Sequence, residues 1–151
     1  MIRLMTFEDY PRLIDLWKST PNMGLRSLDD SQEGILLFLN RNPQTNFVAI
    51  ENEKLIGNIL CGHDGRRGRR GYIYHTVVLP EFRRRGVASA LVDEAVNALK
   101  KEGITRCCLN VMETNEQGKS FWIEKGWEKK DFLGFYSKAI TDKENLPLFK
   151  V

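Results

Sequence analysis

Histidine and cysteine are scarce in this sequence. The histidines are His63 and His75, and the cysteines are Cys61, Cys107 and Cys108. No cysteine–histidine spacing resembles a metal site, so no metal is expected. Three is an odd number of thiols and two of them are adjacent, which makes a poor disulfide framework. No apolar run approaches the ~20 residues that span a bilayer, so no membrane partner is expected. The first residues carry no secretory or transit signal. A reduced, cytoplasmic setting fits these absences best. The phosphate-binding patterns G-x-G-x-x-G and G-x-x-x-x-G-K-[ST] are also missing, which argues against dinucleotide and P-loop sites. Repeats, linkers and low-complexity segments are lacking, so residues 1–151 are expected to form a single domain.

What is present suits an ordinary folded domain. The chain has 151 residues, 42% of them hydrophobic. A chain of this length buries roughly 68–70% of its unfolded surface and needs no staples. The net charge of +3 is mild. The basic excess is local, in Arg66, Arg67, Arg69 and Arg70 and again in Arg83, Arg84 and Arg85. Two small clusters suit a phosphorylated small ligand better than a polyanion. No aromatic residue interleaves the first cluster, which argues against nucleic acid as a partner.

Hydrophobic periodicity predicts the elements. Ile2 to Met5 reads as a strand. A helix starts at Thr6, where Thr6 and Asp9 have capping-box spacing, and Tyr10, Leu13, Ile14 and Trp17 form its apolar face. Leu28 to Asn40 reads as a second helix with Ile35, Leu36 and Leu39 inward. Asn46 to Glu51 and Leu55 to Gly62 are strands around a tight turn. Asp64 to Gly71 is a loop, and Tyr72 to Leu79, rich in aromatic and β-branched residues, is a strand. The longest helix runs from Val87 to Glu102, with Ala88, Leu91, Val92, Ala95 and Leu99 in one stripe. Arg106 to Met112 is a strand, Glu116 to Lys125 a helix, and Trp127 to Phe132 and Gly134 to Ala139 two closing strands. The order β-α-α-β-β-β-α-β-α-β-β is that of a mixed α+β domain.

One strand–loop–helix carries the chemistry: Val77-Val78-Leu79-Pro80-Glu81-Phe82-Arg83-Arg84-Arg85-Gly86-Val87-Ala88. The first N–H groups of a helix have no partner inside it. Together with the helix dipole they form an anion site. Gly86 and Ala88 let a bulky group approach the backbone, and arginines add charge-assisted hydrogen bonds. Cations at a helix N-terminus are disfavoured by ~0.3–1 kcal/mol each, so three together call for an anion. These are the needs of a pyrophosphate.

Arg83-x-x-Gly86-x-Ala88, after a strand ending Val78-x-Pro80, resembles the pyrophosphate loop of the GNAT superfamily of acyl-CoA-dependent N-acetyltransferases. A second stretch, Asn115-Glu116-Gln117-Gly118-Lys119-Ser120-Phe121-Trp122-Ile123-Glu124-Lys125-Gly126-Trp127, resembles the family's N-x-x-A-x-x-F-Y-x-K-x-G-F segment. The element order matches over nearly the whole chain. The resemblance implies a GNAT-like, mostly antiparallel sheet flanked by helices. It implies acetyl-CoA as acyl donor and direct transfer to a primary amine, of a small molecule or a protein, in a ternary complex. Backbone groups of Val78 would meet the pantetheine arm. Arg83 and the N–H groups of Arg84, Arg85, Gly86, Val87, Ala88 and Ser89 would hold the pyrophosphate. Asn115 would bond the pantetheine or help orient it, and Trp122 would be a further cofactor-binding residue. The acetyl group would lie where Tyr72–Leu79 and Arg106–Met112 splay apart.

Two positions depart from the family pattern. Trp122 stands where the family often has the tyrosine that protonates the leaving thiolate, and an indole N–H is a donor only. Asn110 stands where members that acetylate protein N-termini often carry glutamate. Without a strong base, the acceptor's own pKa matters. Freeing a lysine amine at pH 7 costs roughly 4.6 kcal/mol, against about 1–1.4 kcal/mol for an α-amino group. Tyr72, Tyr74, Thr76 and Val78 share one strand face by period two. The resemblance implies that Val78 faces the cofactor and that family members place acid or base groups at positions corresponding to Tyr72 and Tyr74. This makes Tyr74 and Tyr72 the candidate catalytic residues, with aromatic packing as the other reading. His75 then points to the opposite face and reads as structural. His63 and Asp64 enter the arginine loop, where Asp64 suits turn-capping. The cysteines read as small core residues. A non-catalytic acyl-CoA-binding module is the alternative function, and a homodimer stays open.

Overall fold

The structure is a computed structural model describing residues 1–66 and 70–148. Arg67, Gly68 and Arg69 of the arginine loop lie outside the described residues. The chain divides into two compact units. One is Met1–Leu109 with the chain from Asn145 onward, and the other is Asn110–Glu144.

The first unit is built on a five-stranded sheet in the order β1 to β5. The strands are β1 (Ile2–Leu4), β2 (Phe47–Glu51), β3 (Lys54–His63), β4 (Arg70–Val78) and β5 (Arg106–Cys108). β1 to β4 are antiparallel neighbours. β5 runs parallel to β4 through three pairs, Arg70 with Arg106, Gly71 with Cys107 and Tyr72 with Cys108. Its helices are α1 (Tyr10–Lys18), α2 (Gln32–Arg41) and α3 (Val87–Lys101). The second unit carries α4 (Glu116–Glu124). The α+β class and the helix-flanked, mostly antiparallel sheet match the expectation from sequence.

Two helix starts differ for identifiable reasons. The helix expected from Thr6 begins as a 3-10 turn, Phe7–Asp9, and becomes α1 at Tyr10. Asp9 accepts hydrogen bonds from the Thr6 N–H at 2.9 Å and from Arg3 at 2.8 and 2.9 Å. α2 starts at Gln32 rather than Leu28, because Ser31 Oγ caps it by accepting from the Gly34 N–H at 3.0 Å. That start leaves Leu36, expected inside, 37% exposed, while Ile35 and Leu39 are buried. The tight turn after β2 has φ of 49° at Asn52 and 66° at Glu53. Such paired positive φ values suit a two-residue hairpin, whose twist matches that of the strands.

The end of the chain departs most. β5 stops at Cys108, short of the expected Met112, and the stretches expected to close the sheet, Trp127 to Phe132 and Gly134 to Ala139, form no strand. Phe132, Phe135 and Tyr136 are 81%, 81% and 94% exposed. The aromatic, β-branched pattern there expresses a strand propensity, and strand propensity needs a neighbouring strand to take effect.

Two faces of the sheet are covered. α3 packs on one through Leu91, Val92, Ala95 and Leu99, all buried. A Cβ at Gly57 of β3 would lie 3.4 Å from Leu91 Cδ1 and 3.3 Å from Val78 Cγ2, and one at Gly71 of β4 would lie 2.5 Å from Leu99 Cδ1. Gly57, Gly71 and Val78 therefore face α3. α1 and α2 cover the other face. The fully buried Trp17 donates its indole N–H to Asn58 Oδ1 at 2.9 Å. A Cβ at Gly62 would meet the side chain of Asn42, just past α2, at 2.6 Å.

Candidate active site

β4 does not alternate cleanly along its length. Leu60 of β3 pairs with His75, but the next residue, Cys61, pairs with Ile73, so Tyr74 is an extra residue in β4. A bulge of this kind breaks the period of two. Side-chain contacts show the result. Tyr74 packs edge-on against Phe38 of α2, ring centroids 5.4 Å apart, and lies 4.9 Å from the Tyr72 ring. His75 lies edge-on to Trp17 of α1 at 5.3 Å. Tyr72, Tyr74 and His75 thus all look toward α1 and α2, whereas Val78 looks toward α3.

This corrects two expectations. Tyr72 and Tyr74 do not share a face with Val78, and His75 is on the tyrosines' side rather than opposite to it. His75 is held by its Nε2 contact to Asp30 Oδ1 at 2.8 Å. Asp30 is buried, and its Oδ2 accepts the Arg26 N–H at 2.8 Å. Burial pushes the Tyr72 hydroxyl pKa up, helped by Tyr74 and Cys108. Burial also raises that of Tyr74, with Cys61 adding and Arg41 opposing. Both phenols are accordingly protonated at neutral pH and are weaker acids than free tyrosine.

The end of β4 leads directly to the arginines. The Leu79 N–H donates to the Ile56 carbonyl of β3 at 2.8 Å. Alternate residues of an antiparallel strand bond the same neighbour, so the backbone groups of Val78 point away from β3. β4 has no strand partner on that side beyond Tyr72 among the described residues. The Val78 carbonyl accepts from Arg83 Nε at 3.1 Å, which leaves the N–H as its open polar group. Thr76 Oγ1 is buried without a hydrogen-bond partner among the described residues.

A 3-10 turn, Pro80–Phe82, carries the chain to Arg83. Arg84 has φ 63° and Gly86 has φ 78°. A left-handed arginine costs of order 1–3 kcal/mol and persists only when its surroundings hold it. Gly86 is the N-cap of α3, without a side-chain cap, and the first turn contains no acidic residue. A Cβ at Gly86 would meet nothing within 4 Å, so the space in front of the helix start is open. The three arginines are exposed and differently engaged. Arg83 is tied to Val78, and Arg85 lies over the Phe82 ring at 5.2 Å and 4.0 Å from Glu51. Arg84 has no ion-pair or hydrogen-bond partner among the described residues. Uncapped N–H groups, open space and an uncommitted guanidinium fit a phosphate-bearing group.

In the second unit, Asn115 is the N-cap of α4, its Oδ1 accepting from the Gly118 N–H at 2.9 Å. A Cβ at Gly118 would lie 2.5 Å from Asn115 Nδ2. Trp122 is edge-on to both Phe121 and Trp127, at 4.9 Å from each. Among the remaining expectations, Asp64 does cap its turn, Oδ1 accepting from the Arg66 N–H at 3.0 Å. His63 Nε2 lies 3.2 Å from Glu102 Oε1. Cys61 is buried, and its interaction with Cys107 raises the pKa of Cys61 and lowers that of Cys107.

Residues 10–127 match the acetyltransferase (GNAT) family. The chain belongs to that family. It is 30% identical over 143 residues to an acetyltransferase of Pectobacterium atrosepticum, covering 95% of this chain and 98% of that one. Solved GNAT proteins share the fold. The PaiA N-acetyltransferase of Thermoplasma acidophilum, solved with coenzyme A, superposes with a TM-score of 0.74 at 24% identity over 89% of this chain and 92% of its own. The aminoglycoside enzyme AAC(6')-Iy, solved with a bisubstrate analogue, gives 0.71 at 21% identity over 92% and 97%. The arginines and glycine that the sequence singles out stand at the start of α3 in this member of the GNAT family. Sequence reasoning did not single out Thr76 as an orphaned hydroxyl, since an unmet hydrogen bond has no sequence signature.

Proposed function

We propose that the chain is a single-domain N-acetyltransferase that uses acetyl-CoA as donor and transfers the acetyl group directly to a primary amine. The observation that carries this reading is the start of α3, where Gly86 opens an uncapped, acid-free first turn behind three exposed arginines. The N–H groups from Arg84 to Ser89 would hold the pyrophosphate, with Arg84 supplying the uncommitted charge. The Val78 N–H would meet the pantetheine arm as an added strand does. Thr76 would offer its hydroxyl to the bound thioester arm.

In the reaction the free amine attacks the thioester carbonyl, the carbon–sulfur bond breaks and coenzyme A leaves as thiol or thiolate. The amine loses one proton overall. Near neutral pH a thiol of pKa ~8.5 is a tolerable leaving group without a dedicated acid. This agrees with Trp122 at the position of the usual tyrosine and with the raised pKa values of Tyr72 and Tyr74.

The test is calorimetry with acetyl-CoA, together with thiol release in the presence of primary amines. The parent chain should bind and turn over. Gly86→Glu places a carboxylate in front of the helix start and should abolish binding while circular dichroism stays unchanged. Unaltered affinity in that variant overturns the loop assignment. Binding without turnover by any amine favours the acyl-CoA-binding module.

A further inference from the structure

The α1/α2 side of β4 carries an exposed aromatic surface beside an uncommitted cation. Tyr74 is 57% exposed although its ring touches both Phe38 and Tyr72. Leu37, beside Phe38 on α2, is 62% exposed. Arg41 stands three residues after Phe38 on the same helix, a spacing that places both on one side. It makes no hydrogen bond or ion pair among the described residues. The packing of Asn42 over Gly62, the partner of Tyr72, brings this end of α2 down onto the same part of the sheet.

We propose that this surface binds the acceptor, and that the acceptor is a small monoamine with an aromatic body and a carboxylate, not a polycation.

The three rings present flat apolar area of the kind that an aromatic side chain covers edge-on or offset. The Arg41 guanidinium is a fork suited to a carboxylate. A polycation would need carboxylates here. The buried carboxylate on this side, Asp30, is already committed to His75 and the Arg26 N–H. Glu33 lies eight residues before Arg41, roughly 12 Å away along the helix. Arg41 is also close enough to Tyr74 for its positive charge to oppose the rise in the phenol pKa. The location suits an acceptor, because β4 and β5 cease to pair immediately after Tyr72 and Cys108. The surface thus flanks the gap in which the acetyl group would lie.

This inference rests on the transferase reading, and the test separates the two. Steady-state thiol release is measured with acetyl-CoA and three amines: L-phenylalanine, phenethylamine, which lacks the carboxylate, and spermidine, which is a polycation. The expected order of kcat/KM places L-phenylalanine at least tenfold above both others. In Arg41→Gln the ratio of L-phenylalanine to phenethylamine should fall at least fivefold, through KM, and Arg41→Lys should restore part of it. Preference for spermidine, an unchanged ratio in Arg41→Gln, or no rescue by lysine overturns the proposal while leaving the transferase reading intact. Thiol release with none of these three amines, when another primary amine does turn over, overturns the proposal alone; no thiol release with any primary amine, despite acetyl-CoA binding, overturns both.

Discussion

Arg83 reaches back to Val78: its Nε donates to the last carbonyl of β4 at 3.1 Å, tying the first arginine of the loop to the strand before it. The bond fixes the direction in which the next residues leave the sheet, and therefore where α3 begins. Arg83→Met should keep the fold and loosen the loop. A hydrogen bond from a charged group contributes ~1.5–3 kcal/mol when sheltered, and this side chain is exposed, so a smaller effect is expected. Calorimetry should show acetyl-CoA affinity falling about fivefold, roughly 1 kcal/mol.

Thr76 supplies a test on the strand itself. Its hydroxyl is buried and unpartnered among the described residues. Thr76→Val replaces it with a methyl group at nearly constant volume and removes an unmet polar group, so the ligand-free protein should be as stable or slightly more stable. If the hydroxyl meets the donor, acetyl-CoA affinity should fall by about fivefold to tenfold. Equal affinity in both proteins, read by calorimetry, would remove Thr76 from the site.

Asp9 makes stability depend on pH. Burial alone would raise its pKa, yet hydrogen bonds from Arg3, the Thr6 N–H and Arg12 outweigh that and hold it below the ordinary carboxylate value. A depressed folded-state pKa gives stability that is present above the unfolded value of ~3.9 and is lost as pH falls through the folded value. Asp9→Asn should therefore cost ~1–3 kcal/mol at pH 7 in urea denaturation. The gap between the two proteins should close progressively below about pH 4.

Gly57 tests the packing of the sheet. A Cβ there would lie 2.8 Å from the Val77 carbonyl, which is backbone and cannot rotate aside. Gly57→Ala should destabilise by ~1–3 kcal/mol, the usual cost of overpacking, and differential scanning calorimetry would show it as a lowered Tm.

Trp122 completes the set. Its ring packs against Phe121 and Trp127 within the second unit, and its indole N–H is no acid at neutral pH. Trp122→Phe should keep most of kcat. A loss beyond about tenfold, roughly 1.4 kcal/mol, would show that the indole takes part.

The sequence made much of this legible, for local reasons. Gly86 and the arginines mark the start of α3 because helix ends have their own chemistry, and Leu91, Val92, Ala95 and Leu99 mark its buried stripe by spacing alone. The bulge at Tyr74 was hidden. It arises in the pairing of β3 with β4, and no residue type at Tyr74 or His75 announces it. Assigning faces by counting twos therefore failed on passing His75. The residues after Trp127 failed for the converse reason, since their strand-like composition finds no ladder.

The extra residue in β4 gives one strand two independent sides at its business end. Thr76 and Val78 serve one side and Tyr72, Tyr74 and His75 the other, with the irregularity acting as a partition between them. Substitutions on the tyrosine side can then accumulate without disturbing the side that ends in the arginine loop. On the proposed reading, such a backbone lets the acceptor change while the donor stays the same.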